Sequence, residues 1–144
     1  MRSTMMLQLT SELDTVDWAN LAGVFERAPL GNRDPNVLEM QFRNSQVQCF
    51  AYVDSRLIGA GRAISDRVSW TVIFDVVVEP EYQGKGCGRA IVESLVQQAG
   101  ANNVLLHTVP GTEEFYGALG FRKLRTAMAR FPNNDRAAEL GYVE

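Results

Sequence analysis

Three alternate glycines separate a strand-like apolar run from an amphipathic helix pattern, and this segment constrains the fold most. The run at residues 70–78 is apolar at almost every position, which is typical of a strand covered on both faces. Gly84, Gly86 and Gly88 follow it. Apolar residues then recur at helical spacing over residues 91–99. Glycines let backbone N–H groups approach a ligand closely, and a helix N-terminus attracts anions. The segment therefore predicts a site for an anion such as a pyrophosphate.

Two common phosphate-binding loops do not fit this segment. A Walker A loop requires GxxxxGK followed by Ser or Thr, whereas Gly86 follows Lys85 here. The dinucleotide fingerprint requires GxGxxG, but its third glycine would fall on Arg89 or on Ile91, depending on the starting glycine. The spacing therefore excludes both loops.

The strand patterns of the chain predict a mixed sheet. Three of them follow one another across short polar turns, at residues 47–53, 57–64 and 69–78. Their succession favours an antiparallel meander. A helix and a further strand at residues 103–108 come next, which implies a right-handed crossover to a parallel neighbour of the third strand. One more strand is expected at residues 121–131, so the chain is predicted to be an α/β protein.

Length, composition and charge bound the architecture and the partners. A chain of 144 residues, 46% of them hydrophobic, can bury its own core, so we expect a single domain over residues 1–144. The formal net charge of -3 gives no broad basic surface, so we expect no nucleic-acid partner and a cationic or neutral substrate. No apolar run approaches the roughly 20 residues that span a bilayer, so no membrane association is expected.

The two cysteines and the N-terminal residues bear on metal binding and location. Cys49 and Cys87 form no CxxC pair, so we expect neither a disulfide framework nor a metal site. The first residues lack the long apolar stretch and the small-residue cleavage site of a signal peptide. Together these features predict a reduced, cytoplasmic location.

One known frame does fit the glycine segment. Gln83, Gly86 and Gly88 form Gln-x-x-Gly-x-Gly, preceded by Val-x-Pro-x-Tyr. This pattern resembles the acyl-CoA signature of the GNAT superfamily of N-acetyltransferases. A second segment, Phe-Tyr-Gly-Ala-Leu-Gly-Phe at residues 115–121, resembles an element near the C-terminus of the same superfamily. The sequence at residues 62–66, 75–78 and 109–111 looks most like that of small bacterial members related to the serotonin or aralkylamine acetyltransferase-like branch.

The resemblance implies a fold and a co-substrate. The expected GNAT fold is a mixed, mostly antiparallel sheet of six to seven strands, splayed at its central parallel pair, with about four helices. The expected co-substrate is acetyl-CoA, with its pantetheine arm between the splayed strands and its pyrophosphate on the amides of the glycine segment. The residues implied to contact it are Val76, Val77, Val78, Gln83, Gly84, Lys85, Gly86, Cys87, Gly88, Arg89 and Tyr116.

Tyr116 and Asp75 are the catalytic candidates. Tyr116 matches a tyrosine that reaches the CoA sulfur in many GNAT enzymes, and a phenol with a pKa of about 10 can protonate the departing thiolate. Core packing is its alternative role, because Phe115 and Leu119 share its helix face. Asp75 is a carboxylate within an apolar strand, where burial is costly unless the group is paired or functional. It is predicted to be the general base, and a structural carboxylate bonded to backbone or to Arg62 is an equal alternative.

The resemblance, together with these two candidates, implies an N-acetyltransferase that moves acetyl from acetyl-CoA to a primary amine by direct attack in a ternary complex. The acceptor is expected to be a small-molecule or peptide amine. Two alternatives stay open. One is a non-catalytic acyl-CoA-binding or sensing module, and the other is a protein lysine or N-terminal acetyltransferase. The oligomeric state is also open, with a homodimer among the options.

Overall fold

A computed structural model describes residues 6–100 and 103–144 of the chain. The strands are β1 (Leu7–Thr10), β2 (Val47–Val53), β3 (Arg56–Ser65), β4 (Trp70–Val78) and β5 (Asn103–Leu106). The helices are α1 (Trp18–Arg27), α2 (Pro35–Arg43), α3 (Cys87–Ala99), α4 (Glu113–Ala118) and α5 (Asn134–Glu139), with a 3-10 turn at Pro80–Tyr82. The five strands form one sheet in chain order, antiparallel from β1 to β4 and parallel between β4 and β5.

The chain divides into two compact units, Met1–His107 and Thr108–Glu144. The first unit holds the sheet and α1 to α3, and the second holds α4 and α5. The expected single domain over residues 1–144 stays a prediction. The longest described helix, α3, has 13 residues, and none in the described part of the chain is long and apolar enough to cross a bilayer.

Side-chain caps fix where α1 and α2 begin. The Asp17 carboxylate accepts a hydrogen bond of 3.1 Å from the N–H of Asn20, which satisfies a donor of the first turn of α1. Asp34 caps α2 in the same way, and Pro35 occupies its first position, where a missing N–H costs nothing. Both caps follow directly from the local sequence.

Helices cover both faces of the sheet. Ala60 of β3 packs in a buried cluster with residues of α1 and α2, including Phe25 and Phe42. The next residue, Gly61, faces the opposite side, where a Cβ would lie 2.7 Å from Ile91 of α3. A side chain at Gly61 would therefore push α3 off the sheet, which explains why glycine stands there.

The strands β4 and β5 stay together for only part of their length. Their pairing runs from Trp70 to Ile73 on β4, and the His107 N–H adds a bond of 2.9 Å to the Ile73 carbonyl. From Asp75 to Val78, β4 pairs with β3 on one edge, and no strand of the described chain pairs with its other edge. Arg62 opposite Asp75 and Ala63 opposite Ile73 leave Phe74 as an unpaired bulge residue. This open edge matches the splay expected from the resemblance.

The strand and helix counts differ from the prediction. Residues 6–100 and 103–144 contain five strands and five α-helices, where six to seven strands and about four helices were expected. The strand expected at residues 121–131 is wrong, because this segment is irregular. Its residues 122–130 are all exposed, so it has no buried face to stabilise a strand. The extra helix is α5, which Asn133 caps by accepting from the Arg136 N–H at 2.9 Å.

Candidate active site

The segment at residues 83–86, called the glycine loop below, connects the 3-10 turn to α3. Gly84 and Gly86 have φ angles of 74° and 87°, in the left-handed region that side chains rarely adopt. A Cβ at either position would meet no described atom within 4 Å. Backbone conformation therefore requires these glycines, and the loop is open on the side where their Cβ atoms would stand.

The N-terminus of α3 has no side-chain cap. Gly86 is its N-cap residue, and the first helical bond is donated by the Ala90 N–H to the Gly86 carbonyl at 3.0 Å. The N–H groups of Gly86, Cys87, Gly88 and Arg89 precede that bond, so the helix itself provides no acceptor for them. These donors and the helix dipole suit a phosphate oxygen, so the residues present fit a pyrophosphate.

Gln83 ties the glycine loop to the end of β4. Its side-chain Nε2 donates to the Val78 carbonyl at 3.0 Å, and its backbone N–H donates to the Pro80 carbonyl at 3.2 Å. The sequence predicted a contact with the co-substrate for Gln83. That contact stays a prediction, and in the structure Gln83 holds the turn that precedes the N–H groups at the start of α3.

Cys87 is buried at the start of α3. Burial raises the pKa of its thiol, and the charge of Lys85 opposes this rise less strongly. A thiol of raised pKa is a poor nucleophile at neutral pH. Packing at the helix start is therefore a better description of Cys87 than acyl transfer.

The open edge of β4 carries the three valines predicted to contact acetyl-CoA, of which Val76 and Val78 are expected to flank the pantetheine arm. Val76 is half-buried, while Val77 and Val78 are buried, and Val77 belongs to the cluster under α1 and α2. On an unpaired strand edge, backbone N–H and C=O groups of alternate residues point outward. An extended chain with amide groups can add to such an edge as a strand would.

Asp75 is ion-paired on both carboxylate oxygens. Oδ2 accepts from Nε of Arg62 at 2.6 Å, and Oδ1 accepts from Nη2 of Arg33 at 3.0 Å. Only 9% of the Asp75 side chain is exposed. This geometry favours the structural alternative that the sequence left open, and the base role stays a prediction. We call Arg33, Asp75 and Arg62 the arginine cluster.

Arg33 was missed by sequence reasoning. It lies in the connection between α1 and α2, 42 positions before Asp75, and no local pattern marks it. The only available signal was that a carboxylate within a buried strand needs a cationic partner somewhere in the chain.

Glu79 was also missed, although it is buried at the end of β4. Arg27 of α1 donates to both of its carboxylate oxygens, at 2.6 and 2.9 Å, and this bonding lowers the pKa of the Glu79 carboxyl. Its backbone N–H donates to the Ile58 carbonyl at 2.7 Å. These contacts anchor the end of β4 to α1 just before the glycine loop.

Tyr116 lies on α4 in the second unit. It is buried, with ring centres 4.8 Å from Phe115 and 5.9 Å from Phe121 in edge-on contacts. Its backbone carbonyl accepts from the Phe121 N–H at 3.0 Å, and Gly120 has a left-handed φ of 93° at this helix end. The motif at residues 115–121 therefore forms the C-terminal end of α4. The acid role of Tyr116 stays a prediction.

The mixed sheet that opens beside β4, and the glycine loop that leads to an uncapped helix, define an α/β fold of GNAT type. The model of the GNAT acetyltransferase domain matches residues 45–123, so the chain belongs to that family. Serotonin N-acetyltransferase 2, chloroplastic, of Oryza sativa is 36% identical over 115 residues, which cover 74% of this chain and 56% of that protein. GCN5-related N-acetyltransferase 2, chloroplastic, of Arabidopsis thaliana is 44% identical over 71 residues, 47% of this chain and 28% of that protein.

Solved structures share the fold. A GNAT family acetyltransferase of Streptococcus pneumoniae aligns with a TM-score of 0.73 at 20% identity, over 90% of this chain and 98% of that one. The ribosomal-protein-S18-alanine N-acetyltransferase of Escherichia coli aligns with a TM-score of 0.72 at 18% identity, over 90% and 86%. Identities this low establish the fold alone.

The relatives bear on two further points, the predicted location and the share of their length that this chain spans. The cytoplasmic location is contradicted, because the relatives from rice and Arabidopsis are named chloroplastic. The sequence features behind that prediction, cysteine usage and the lack of a signal peptide, do not distinguish the two compartments. The chain spans about a quarter to three fifths of the length of these relatives.

Proposed function

We propose that the chain is an N-acetyltransferase that transfers acetyl from acetyl-CoA to a primary amine by direct attack in a ternary complex. The observation that carries the proposal is the open edge of β4 leading through the glycine loop to the uncapped N-terminus of α3. A strand edge suits the amides of a pantetheine arm, and the uncapped helix suits a pyrophosphate. Family membership supports the same co-substrate.

The glycine loop and the start of α3 would hold acetyl-CoA through backbone N–H groups of Gly84, Lys85, Gly86, Cys87, Gly88 and Arg89. When bound, acetyl-CoA supplies an activated acetyl thioester. In the net reaction a carbon–nitrogen bond forms, the carbon–sulfur bond breaks, and one proton passes from the amine to the thiolate. The Tyr116 hydroxyl is proposed to deliver that proton to the sulfur.

Asp75 is proposed to hold Arg33 and Arg62 in place. Each of its two carboxylate oxygens accepts from a guanidinium group, so the carboxylate is committed to positioning these side chains. A pH–rate profile separates this role from the base role predicted from sequence, as described below.

Binding and turnover of acetyl-CoA test the function. Acetyl-CoA should raise the melting temperature, because a ligand at 100 times its Kd adds about 2.7 kcal/mol of stability. An amine panel with detection of the released thiol should then identify acceptors. Absence of binding at millimolar acetyl-CoA would remove the basis of the proposal. Binding without turnover of any amine would favour the acyl-CoA-binding or sensing module.

Acetylation of a protein amine is the second candidate. A Glycine max relative, 44% identical over 69 residues, is named a histone acetyltransferase, and the chain covers 30% of it. Lysine-bearing and N-terminal peptides therefore belong in the same panel. A preference for peptides over free amines would favour this candidate.

Sedimentation of the same preparation tests the homodimer that the sequence left open.

A further inference from the structure

The arginine cluster carries more positive than negative charge at a partly buried position. Arg33 and Arg62 both pair with Asp75, at 3.0 and 2.6 Å. Within residues 6–100 and 103–144, no other carboxylate lies within 4.0 Å of either guanidinium. Two positive charges therefore share one negative charge, and one positive charge is unbalanced.

The nearest carboxylate in the sequence does not compensate this charge. Asp34 follows Arg33 directly, but its Oδ1 accepts from the N–H groups of Asn36 and Val37, at 2.8 and 3.3 Å. Asp34 is thus committed to the N-terminus of α2. An unbalanced charge that is partly withdrawn from water raises the free energy of the site unless an anion joins it.

Arg33 is held in a fixed orientation and remains partly open. Nη2 binds Asp75, Nη1 donates to Oε1 of Gln41 at 3.3 Å, and the guanidinium carbon lies 4.6 Å from the centre of the Phe25 ring. The Arg33 side chain is 27% exposed, compared with 12% for Arg62. A planar guanidinium fixed in this way is suited to bind a carboxylate, and a ligand can reach Arg33 more easily than Arg62.

The position of the cluster links it to the proposed reaction. Asp75 directly follows Phe74, the bulge residue at which the open edge of β4 begins. Asp75 lies on the α1 and α2 face of the sheet, and α3 covers the opposite face. Arg33 itself lies between α1 and α2. A charged group on the acceptor would therefore meet Arg33 on the face opposite α3.

We propose that the acceptor is a primary amine that also carries a carboxylate, and that Arg33 binds this carboxylate. The proposal rests on the acetyltransferase function proposed above and names its substrate class. A free amino acid has this chemistry. An arylethylamine such as serotonin lacks the carboxylate, so the name of the rice relative points to a different acceptor.

Matched pairs of acceptors test the proposal. Each pair joins an amino acid to its decarboxylated amine: 5-hydroxytryptophan with serotonin, phenylalanine with phenethylamine, and alanine with ethylamine. Release of the CoA thiol gives kcat/KM for each member at one acetyl-CoA concentration. We expect the amino acid to be the better acceptor by about 10-fold or more, in each pair whose side chain the site accepts.

Variants of two arginines locate the effect. Arg33→Gln should lower kcat/KM for the amino acid by about 10- to 100-fold, the usual effect of losing a charged hydrogen bond, and mainly through KM. The decarboxylated partner should change little, and Arg33→Lys should restore part of the loss. Arg43→Gln is the matched control, because exposed Arg43 carries the same charge but pairs with Asp14 and Glu39.

The outcomes separate the two proposals. If decarboxylated amines are equal or better acceptors, the carboxylate site is wrong and the acetyltransferase function stands. If acetyl-CoA neither binds nor turns over, the function itself fails. The melting temperature with an N-acetylamino acid, compared with its decarboxylated counterpart, tests the carboxylate site without turnover. An equal shift for the two compounds, or a shift that persists in Arg33→Gln, would overturn the proposal.

Discussion

The glycine loop and the arginine cluster are both attached to β4, but they are made of different parts of the chain. The loop offers backbone N–H groups from consecutive residues, and a Cβ on Gly84 or Gly86 would meet no described atom within 4 Å. The cluster offers side chains from Arg33, Arg62 and Asp75, which are distant in sequence and largely buried. The loop is suited to a group shared by all acyl-CoA donors. The cluster is suited to select one class of acceptor.

We propose binding roles for these two regions and proton delivery for neither, so the largest expected effect on kcat lies at Tyr116. Tyr116→Phe should lower kcat by about 100-fold or more, because general acid catalysis contributes about 10²- to 10⁴-fold. The Kd for acetyl-CoA, measured by calorimetry, should stay close to that of the parent chain. Tyr142→Phe is the control on the same unit. An unchanged kcat in Tyr116→Phe would assign the residue to packing.

The loop is tested by Gly86→Leu. A leucine at φ 87° would displace the N–H groups at the start of α3, so the Kd for acetyl-CoA should rise about 1,000-fold, as expected for two lost charged hydrogen bonds. Gly100→Leu is the matched control, since Gly100 has a φ of 67° and open space at the other end of α3. If both variants bind acetyl-CoA equally well, the anion site is not at this helix start.

The cluster is tested by Asp75→Asn, which leaves two guanidinium groups without their carboxylate. We expect a loss of about 2–3 kcal/mol in the free energy of unfolding, less than for a fully buried pair because Arg33 reaches solvent. Denaturant titration measures this loss, and Asp14→Asn, which breaks an exposed pair with Arg43, should cost at most about 1 kcal/mol.

The same Asp75→Asn variant also decides between the two roles of the carboxylate. If Asp75 orients the arginines, the shape of the pH–rate profile is kept. Loss of the acidic limb of the profile would instead identify Asp75 as the base.

The smallest expected effect concerns Glu79, which anchors the strand between the two regions. Its folded pKa is lowered by Arg27, so its contribution to stability is present above the ordinary value of 4.5 and is lost as the pH falls towards the folded pKa. Glu79→Gln should lower the free energy of unfolding by only about 1–2 kcal/mol at pH 7, because Arg27 is half-exposed. It should also flatten the acid limb of the curve of unfolding free energy against pH. Glu81→Gln is the control, because Glu81 is exposed and pairs with Arg56, and it should leave that limb unchanged.

The local sequence was enough for the elements whose signals lie within a few residues. The strand at 47–53, the helix after the glycines and the parallel crossover were predicted from periodicity, caps and element order, and the structure has them. Gly84 and Gly86 were predicted as an anion loop, and both adopt the left-handed conformation that glycine favours. Backbone conformation and capping depend on near neighbours, so a short segment of sequence can encode them.

The tertiary structure alone decided which distant residues meet. Arg33 and Arg27 reach Asp75 and Glu79 only because α1 and the connection to α2 fold over the sheet. The segment at 121–131 carries a strand-like sequence but is irregular, because strand formation also needs a partner edge and a buried face. Ion pairs and strand pairing are long-range contacts whose partners are set by packing. The sequence therefore predicted the glycine loop, whose conformation is local, but not the ion pair between Arg33 and Asp75.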